Sequence, residues 1–296
     1  MNKRVKINGA KIAGNLILII VTVICIVPFI VVLSSSFTAE RELVQNGYSL
    51  LIKDFSFAAY DYILENGARF IRAYGLTIIT TILGTTGAMV ISTLLAYGMS
   101  VKNLPFGRGI SFFVLFTLLF NGGTVPTYFM WTQIFHVKNT LAGLIIPRLL
   151  VSAFYVAIMR NYFRSSIPGE LKESARIDGA GELKIFLKIV VPLSVPMIAT
   201  IGLLVGVSYW NEWLNGLYYV SDTKWYTIQN LLNRMLKDTQ FLMSNTAGTD
   251  AAALAEMPGR AMKMAVAVIG ALPIMAAFPF FQKYYVKGLS VGAVKG

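Results

Sequence analysis

Long apolar runs alternate with shorter polar segments along the chain, and six of the runs are long enough to cross a lipid bilayer. A transmembrane helix takes about 20 mostly apolar residues, because roughly 30 Å of hydrocarbon is crossed at about 1.5 Å per residue. The pattern therefore predicts an all-α integral membrane protein with six transmembrane helices. The six runs cover residues 12–33, 74–98, 110–131, 141–162, 189–218 and 264–281.

A basic tail, residues 1–11, precedes the first apolar run. The run is longer than the apolar core of a signal peptide, which has about 7 to 15 residues, and no small-residue cleavage site follows it. We therefore expect a retained helix, with residues 12–296 forming one six-helix membrane domain. The basic residues of the tail are Lys3, Arg4, Lys6 and Lys11.

The distribution of Lys and Arg predicts the orientation of these helices. Six spans place both termini on one side, and a cytoplasmic placement puts 15 of the 26 Lys and Arg inside and ten outside. Cytoplasmic loops carry such an excess, so we expect a multi-pass protein of the cell membrane with both termini in the cytoplasm. The net charge of +12, in a chain that is 56% hydrophobic and 14% charged, then reflects topology rather than a nucleic-acid partner.

The sequence lacks the residue patterns of several kinds of site. Cys25 is the single cysteine and His136 the single histidine, so we expect a small buried hydrophobic residue, a surface histidine and no metal site. There is no G-x-x-x-x-G-K-[ST] phosphate loop, so we expect this chain not to be an enzyme and not to hydrolyse ATP itself.

Two segments assigned to the outer side contain further structure. The mixed apolar and aromatic segment 34–72 is expected to fold against the membrane domain. In the segment 221–263 we expect a helix at about 225–242 and a mobile loop at 244–253, where small residues accumulate.

The cytoplasmic segment between the fourth and fifth runs, about residues 164–192, predicts two short helices joined by a sharp turn. Pro168 suits the first turn of a helix, where its missing N–H is not needed. Asp178-Gly179 predicts the end of that helix, because glycine tolerates the left-handed conformation. A second amphipathic piece with Leu183 then leads into the fifth run.

The same segment has the chemistry of a docking surface. Small residues at Ala175, Gly179 and Ala180 would permit close approach, and the carboxylates of Glu173 and Asp178 offer charge-assisted hydrogen bonds. The residues alone leave two interpretations open, a docking surface for a partner protein or an amphipathic connector at the lipid headgroups.

The run Glu-Ser-Ala-Arg-Ile-Asp-Gly-Ala, from Glu173 to Ala180, is followed by Phe186, Ile189 and Pro192. It resembles the EAA motif of the permeases of binding-protein-dependent ABC importers. The Asp-Gly-Ala form, and the final ten residues of the chain, resemble the carbohydrate-uptake branch, the family of the maltose permease. Ser174 departs from the motif, which usually has alanine at that position.

The resemblance implies a permease subunit that translocates a sugar or oligosaccharide by alternating access. It implies as partners a second homologous permease, an extracytoplasmic solute-binding protein, membrane lipid and an ATPase dimer that would hold the ATP and Mg, with no cofactor on this chain. The segment 164–192 would be the coupling loop that inserts into the ATPase. The residues assigned to coupling are Glu173, Ser174, Ala175, Asp178, Gly179, Ala180 and Pro192.

Two charged residues lie inside the predicted spans, where charges usually face a cavity or a partner. Arg148 is about seven residues, roughly 10 Å, below the outer end of the fourth span, and Glu212 is roughly 12 Å deep in the fifth. Two interpretations stay open: the residues pair with each other as a structural element, or both line an outward-facing cavity. A cation at this depth would suit an acidic, uronate-containing oligosaccharide.

Aromatic and amide side chains surround Glu212. On a continuous helix Trp210 and Trp213 would stack at i,i+3, and Asn211 and Asn215 at i,i+4, as a wall suited to sugar rings and hydroxyls. The alternative is a tryptophan belt at the membrane interface. Additional pathway candidates are Tyr128 and Trp131 on the third span, and Pro147, which would open the fourth helix and free a carbonyl.

Other functional classes fit the sequence less well. A stand-alone secondary carrier usually shows more spans and an internal repeat. A membrane enzyme would need a group such as paired intramembrane carboxylates, and the spans hold only Glu212. An ABC permease for a non-sugar solute is the nearest alternative, and resemblance alone separates it from a sugar permease.

Overall fold

The computed structural model describes residues 9–101, 104–245 and 259–293. These residues are mostly helical and form no regular strand, only an isolated antiparallel bridge between Thr38 and Phe55. The helices are α1 Gly9–Ser36, α2 Glu40–Gln45, α3 Ala58–Glu65, α4 Gly67–Ser100, α5 Gly107–Leu119, α6 Thr124–Phe129, α7 Leu141–Ile145, α8 Ala153–Ser165, α9 Gly169–Ile177, α10 Glu182–Ile185, α11 Val191–Leu193, α12 Val195–Trp210, α13 Leu214–Tyr219, α14 Ile228–Asn245 and α15 Gly259–Ala293.

Three of the predicted spans are continuous helices. The segments Ile12–Ser36, Gly67–Ser100 and Gly259–Ala276 are long and apolar enough to cross a membrane, which matches the first, second and sixth predicted runs. The apolar side chains of α1 lie exposed along its length, from Leu16 at 57% to Phe29 at 64%. Cys25 is exposed with them, so the prediction that it is buried is wrong.

The third and fifth predicted spans are bent rather than straight. The third consists of Gly107–Leu119 and Thr124–Ile134 at 114° to each other, and the fifth has an 82° bend between Glu182–Leu193 and Val195–Trp210. The break in the third span contains Gly122 and Gly123, and Gly123 has φ +83°. The second lies between Pro192 and Pro196, each of which lacks the N–H for a helical hydrogen bond.

The fourth predicted span, residues 141–162, is not one helix. α7 ends at Ile145, α8 begins at Ala153, and neither is long enough to cross a bilayer. The interruption has a local cause: Pro147 cannot continue the helical hydrogen bonding, and Arg148 has φ +78°. With each bent pair counted as one span, the described residues contain up to five spans by length and composition.

The chain divides into two compact units. The first contains Met1–Phe70 and Leu232–Leu272. Within it the segment 34–72 is folded: the Phe37 ring stacks on Phe55 at 5.8 Å and on Tyr60 at 4.8 Å. The buried carboxylate of Glu40 accepts hydrogen bonds from the backbone N–H groups of Arg260 and Ala261 at 2.8 to 2.9 Å, and so caps the first turn of α15.

The second unit contains Ile71–Leu231 and Pro273–Gly296. Its buried core joins α4, α5, α8, α10 and α12 around fully buried Phe163, Met159 and Val156. Two glycines permit the contact between α4 and α12, because Gly206 faces Thr85 and Gly84 faces the ring of Tyr209.

The segment 221–263 contains α14, which confirms a helix close to the predicted 225–242. Ser244 and Asn245 belong to that helix. The remainder of the predicted mobile loop, residues 246–253, lies outside the described residues.

Candidate functional site: the coupling loop and the broken spans

The predicted helix, turn and helix are present between the fourth and fifth runs. Pro168 is the N-cap residue of α9, and the helix ends in a Schellman motif: Gly179 N–H donates to the carbonyl of Arg176 at 3.0 Å, and Ala180 N–H to that of Ala175 at 2.9 Å. Gly179 has φ +75°, the left-handed conformation that this motif requires. The turn therefore follows from local chemistry.

The residues predicted for coupling differ in how exposed they are. Glu173, Ser174, Asp178 and Gly179 are exposed, together with Ile177 at 86%. Ala175 and Ala180 are half-buried and pack against the core of the second unit, and their contact with a partner stays a prediction. Pro192 is exposed and lies in α11, at the bend into the fifth span.

The half-exposed carboxylate of Glu182 accepts hydrogen bonds from inside the loop and from α4. Its Oε1 accepts from Arg176 Nε at 2.7 Å and its Oε2 from the Tyr97 hydroxyl at 2.6 Å. The hydrogen bond from Arg176 holds the pKa of Glu182 below its usual value, and Tyr97 acts in the same direction. Lys172 Nζ donates to the carbonyl of Phe163 at 3.2 Å and ties α9 to α8.

Side chains from the fifth run hydrogen-bond three backbone carbonyls at the break in the fourth run. The Tyr209 hydroxyl donates to Ile145 O at 3.0 Å. The fully buried Asn215 amide donates to Leu144 O at 3.1 Å and to Pro147 O at 2.7 Å. The expectation that Pro147 opens the helix is confirmed, but its freed carbonyl faces Asn215. Asn215 therefore holds the break and does not line a pathway.

Arg148 and Glu212 form an ion pair at 3.9 Å between Nε and Oε2. The Glu212 side chain is 11% exposed, and its other oxygen accepts from the backbone N–H of Asn215 at 2.9 Å. The Arg148 side chain is 47% exposed. The two interpretations of this pair are therefore compatible: Glu212 is mostly buried against the protein, while about half of the Arg148 side chain stays exposed.

The predicted wall of stacked tryptophans and asparagines is not formed. α12 ends at Trp210 and α13 starts at Leu214, so Asn211, Glu212 and Trp213 lie between two helices and have no common helical face. Trp210 is buried, with its ring 6.5 Å from that of Tyr74, whereas Asn211 and Trp213 are exposed. The assumption that residues 189–218 form one helix caused the error.

Tyr128 and Trp131 are half-buried near the end of the third run. The ring of Tyr128 stacks on that of Tyr219 at 6.1 Å, and Trp131 lies 4.9 Å from Phe135. His136 is exposed in the following loop, as predicted. Among the described residues, no three His, Cys, Asp or Glu side chains are grouped as metal ligands would be.

Sequence reasoning missed Tyr97, Arg176 and Glu182 as a network, and Tyr209 as a carbonyl cap. Tyr97 and Glu182 are 85 residues apart, and no spacing rule links them. The available signal was a tyrosine in an apolar span, since a phenol in lipid needs a hydrogen-bond partner.

A helical membrane protein with interrupted spans and an exposed glycine-turn loop is the class that this fold and site define. The model of the family of binding-protein-dependent transport system inner membrane components matches residues 7–291. The chain belongs to this family.

Named relatives cover nearly the whole chain. The polygalacturonan/rhamnogalacturonan transport system permease protein of Bacillus subtilis is 36% identical over 279 residues, 94% of this chain and 96% of that protein. An arabinooligosaccharides transport system permease protein of the same organism is 26% identical over 97% of this chain and 96% of that protein. A chain from a bacterial ABC transporter involved in import of the acidic polysaccharide alginate matches with a TM-score of 0.78 and 27% identity, over 93% of this chain and 96% of that one.

Proposed function

We propose that the chain is one permease subunit of an ATP-driven importer for acidic oligosaccharides that contain uronate residues. Family membership supports the class of protein, and two of the relatives are named for acidic polysaccharides. In this proposal the chain crosses the cell membrane six times with both termini in the cytoplasm. The interrupted fourth run crosses as α7, the connecting segment and α8 together.

The coupling loop is proposed to dock on an ATPase dimer, which holds ATP and Mg. The exposed carboxylates of Glu173 and Asp178 would meet basic residues of the ATPase, and Ser174 and Ile177 complete the contact surface. Gly179 gives this surface its shape through the left-handed turn. A second homologous permease and an extracytoplasmic solute-binding protein complete the importer.

The half-exposed guanidinium of Arg148 is the observation that carries the substrate proposal. A guanidinium has five N–H donors, and one ion pair at 3.9 Å leaves donors for a second carboxylate. Exposed Asn211 and Trp213 flank Glu212 and would contact sugar hydroxyls and C–H faces. Trp210, Tyr128 and Trp131 are secondary candidates for the same pathway.

Uptake of trigalacturonate, compared with its neutral methyl ester, tests this proposal in proteoliposomes that contain the purified importer. We expect wild type to prefer the acid, and Arg148→Gln to lose about tenfold in uptake of the acid while uptake of the ester changes little, since one charge-assisted hydrogen bond contributes about 1.5 to 3 kcal/mol. Lys138→Gln, which removes an exposed cation of an outer loop, is the matched control. Equal uptake of both sugars by wild type would contradict the substrate proposal.

A further inference from the structure

The coupling loop and the end of α4 share one carboxylate. Glu182, the first residue of α10, accepts from Arg176 inside the loop and from Tyr97 on α4, at 2.7 and 2.6 Å. The two hydrogen bonds differ in what they join. The one from Arg176 links α9 to α10 and stabilises the loop itself, whereas the one from Tyr97 links the loop to a transmembrane helix.

Tyr97 is held firmly at its position in α4. The residue is 5% exposed, and its ring lies 5.1 Å from that of Phe186, which follows α10 in a π-helical turn. Two residues later, the carbonyl of Met99 accepts hydrogen bonds from Arg160 at 3.2 Å and Arg164 at 3.3 Å, both on α8. The end of α4 is therefore joined to α8 as well as to the loop.

The groups around Glu182 keep its carboxylate ionised. Arg176 donates a hydrogen bond to one carboxylate oxygen, and the Tyr97 hydroxyl donates to the other. The positive charge of Lys172 also favours the ionised form. An ionised acceptor makes the bond from Tyr97 charge-assisted, which is shorter and stronger than a neutral one. A movement of the loop that kept this bond would displace the end of α4.

We propose that the Tyr97–Glu182 hydrogen bond transmits movement of the coupling loop to α4, so that breaking it uncouples ATP hydrolysis from the conformational change in the membrane. This inference rests on the proposed function, in which the loop docks on an ATPase. Tyr97 and Glu182 act as positioning residues in this role and contact neither nucleotide nor sugar.

Two substitutions separate the two hydrogen bonds. Tyr97→Phe removes the bond to α4 but keeps the aromatic ring beside Phe186 and the Arg176–Glu182 pair. Arg176→Gln weakens the pair inside the loop but keeps the tyrosine bond. Tyr155→Phe is the matched control, because it removes a hydroxyl from a half-buried tyrosine that packs against the same core and does not contact Glu182.

The readout should not depend on the identity of the sugar. With Cys25→Ser as background, Val151→Cys places a single thiol in the exposed segment between α7 and α8. The purified complex is labelled with a maleimide with and without ATP plus vanadate, and ATP hydrolysis is measured in parallel. We expect the ATP-dependent change in labelling rate to fall at least about fivefold in Tyr97→Phe, the lower end of typical coupling, with hydrolysis maintained.

A double-mutant cycle adds a specific test. If the two side chains act through one bond, the ATP-dependent change in labelling rate should fall no further in the double variant Tyr97→Phe/Glu182→Gln than in Glu182→Gln alone. Normal ATP-dependent labelling in Tyr97→Phe would overturn the inference, as would an equal loss in Tyr155→Phe or loss of the ATPase from the Tyr97→Phe complex. Failure of the unsubstituted chain to copurify with an ATPase would instead contradict the proposed function.

Discussion

The side-chain amide of Asn215 donates a hydrogen bond of 2.7 Å to the backbone carbonyl of Pro147, 68 residues earlier in the chain. The same amide also donates to Leu144 O, so one fully buried side chain satisfies two of the carbonyls released by the break in the fourth run. Unpaired carbonyls are costly in a membrane, where water cannot replace the lost partner. Asn215 therefore stabilises the break at which the half-exposed Arg148 lies.

Asn215→Ala should destabilise the purified protein by about 1 to 2 kcal/mol, because Leu144 O loses the Asn215 donor and Pro147 O keeps only the backbone N–H of Leu149. A thermal melt in detergent would show this as a lower midpoint. Asn211→Ala is the matched control, since the exposed Asn211 side chain donates to Val207 O near the end of α12 at 3.0 Å and accepts from Gln229 at 3.4 Å, away from the break in the fourth run. Equal melting midpoints for the two variants would contradict the structural role of Asn215.

Gly84 and Gly75 lie on the same helix, α4, but should respond in opposite directions to alanine. A Cβ at Gly84 would overlap the ring of Tyr209, whose hydroxyl holds the Ile145 carbonyl, whereas a Cβ at Gly75 would meet no atom within 4 Å. We expect Gly84→Ala to cost about 1 to 3 kcal/mol through overpacking. Gly75→Ala should be neutral or slightly stabilising, because alanine has the higher helix propensity. Midpoints of thermal unfolding for both variants would check the signs.

The sequence predicted the coupling loop more fully than it predicted the interruptions of the membrane spans. The coupling loop was predicted well because its turn is local: Gly179, its left-handed φ and the hydrogen bonds back to Arg176 and Ala175 all lie within six residues. The first, second and sixth apolar runs were also located close to continuous helices, since hydrophobic length is a property of the segment itself.

The interruptions of those runs were predicted poorly, because they depend on distant partners. Pro147 is compatible with either a kink or a complete break, and the break becomes stable only when Tyr209 and Asn215, 64 and 68 residues away, cap the freed carbonyls. Glu212 lies in a similar break, so the helical spacing that grouped Trp210 with Trp213 did not apply.

Gly179→Ala should weaken docking of the ATPase about tenfold, since a left-handed conformation costs an L-residue about 1 to 2 kcal/mol and the loop would distort to relieve it. Gly181→Ala is a close control: Gly181 has φ −68°, and an added Cβ would meet no other atom within 4 Å at either glycine. Copurification of the ATPase, titrated by concentration, measures the difference. Equal binding by the two variants would contradict the role assigned to the turn.

Acid should selectively weaken the loop. Because the pKa of Glu182 is lowered in the folded protein, its ionised form contributes stability that is complete above the ordinary carboxyl value of 4.5 and is lost as pH falls through the lowered value. Glu182→Gln lacks this contribution at every pH. The difference in melting midpoint between wild type and Glu182→Gln should therefore shrink as the pH is lowered below 4.5. Glu170→Gln, at an exposed position in the first turn of α9, should show no comparable effect.

Arg148 and Glu212 allow a test of whether the ion pair is structural or also binds substrate. Arg148→Gln leaves a mostly buried carboxylate without its cation, so part of any defect would come from Glu212. Arg148→Gln combined with Glu212→Gln removes that penalty. If the pair were only structural, the double variant would recover uptake of both trigalacturonate and its methyl ester. We expect uptake of the ester to stay close to wild type in both variants while uptake of the acid stays about tenfold low in both, because no guanidinium remains to bind the uronate carboxylate.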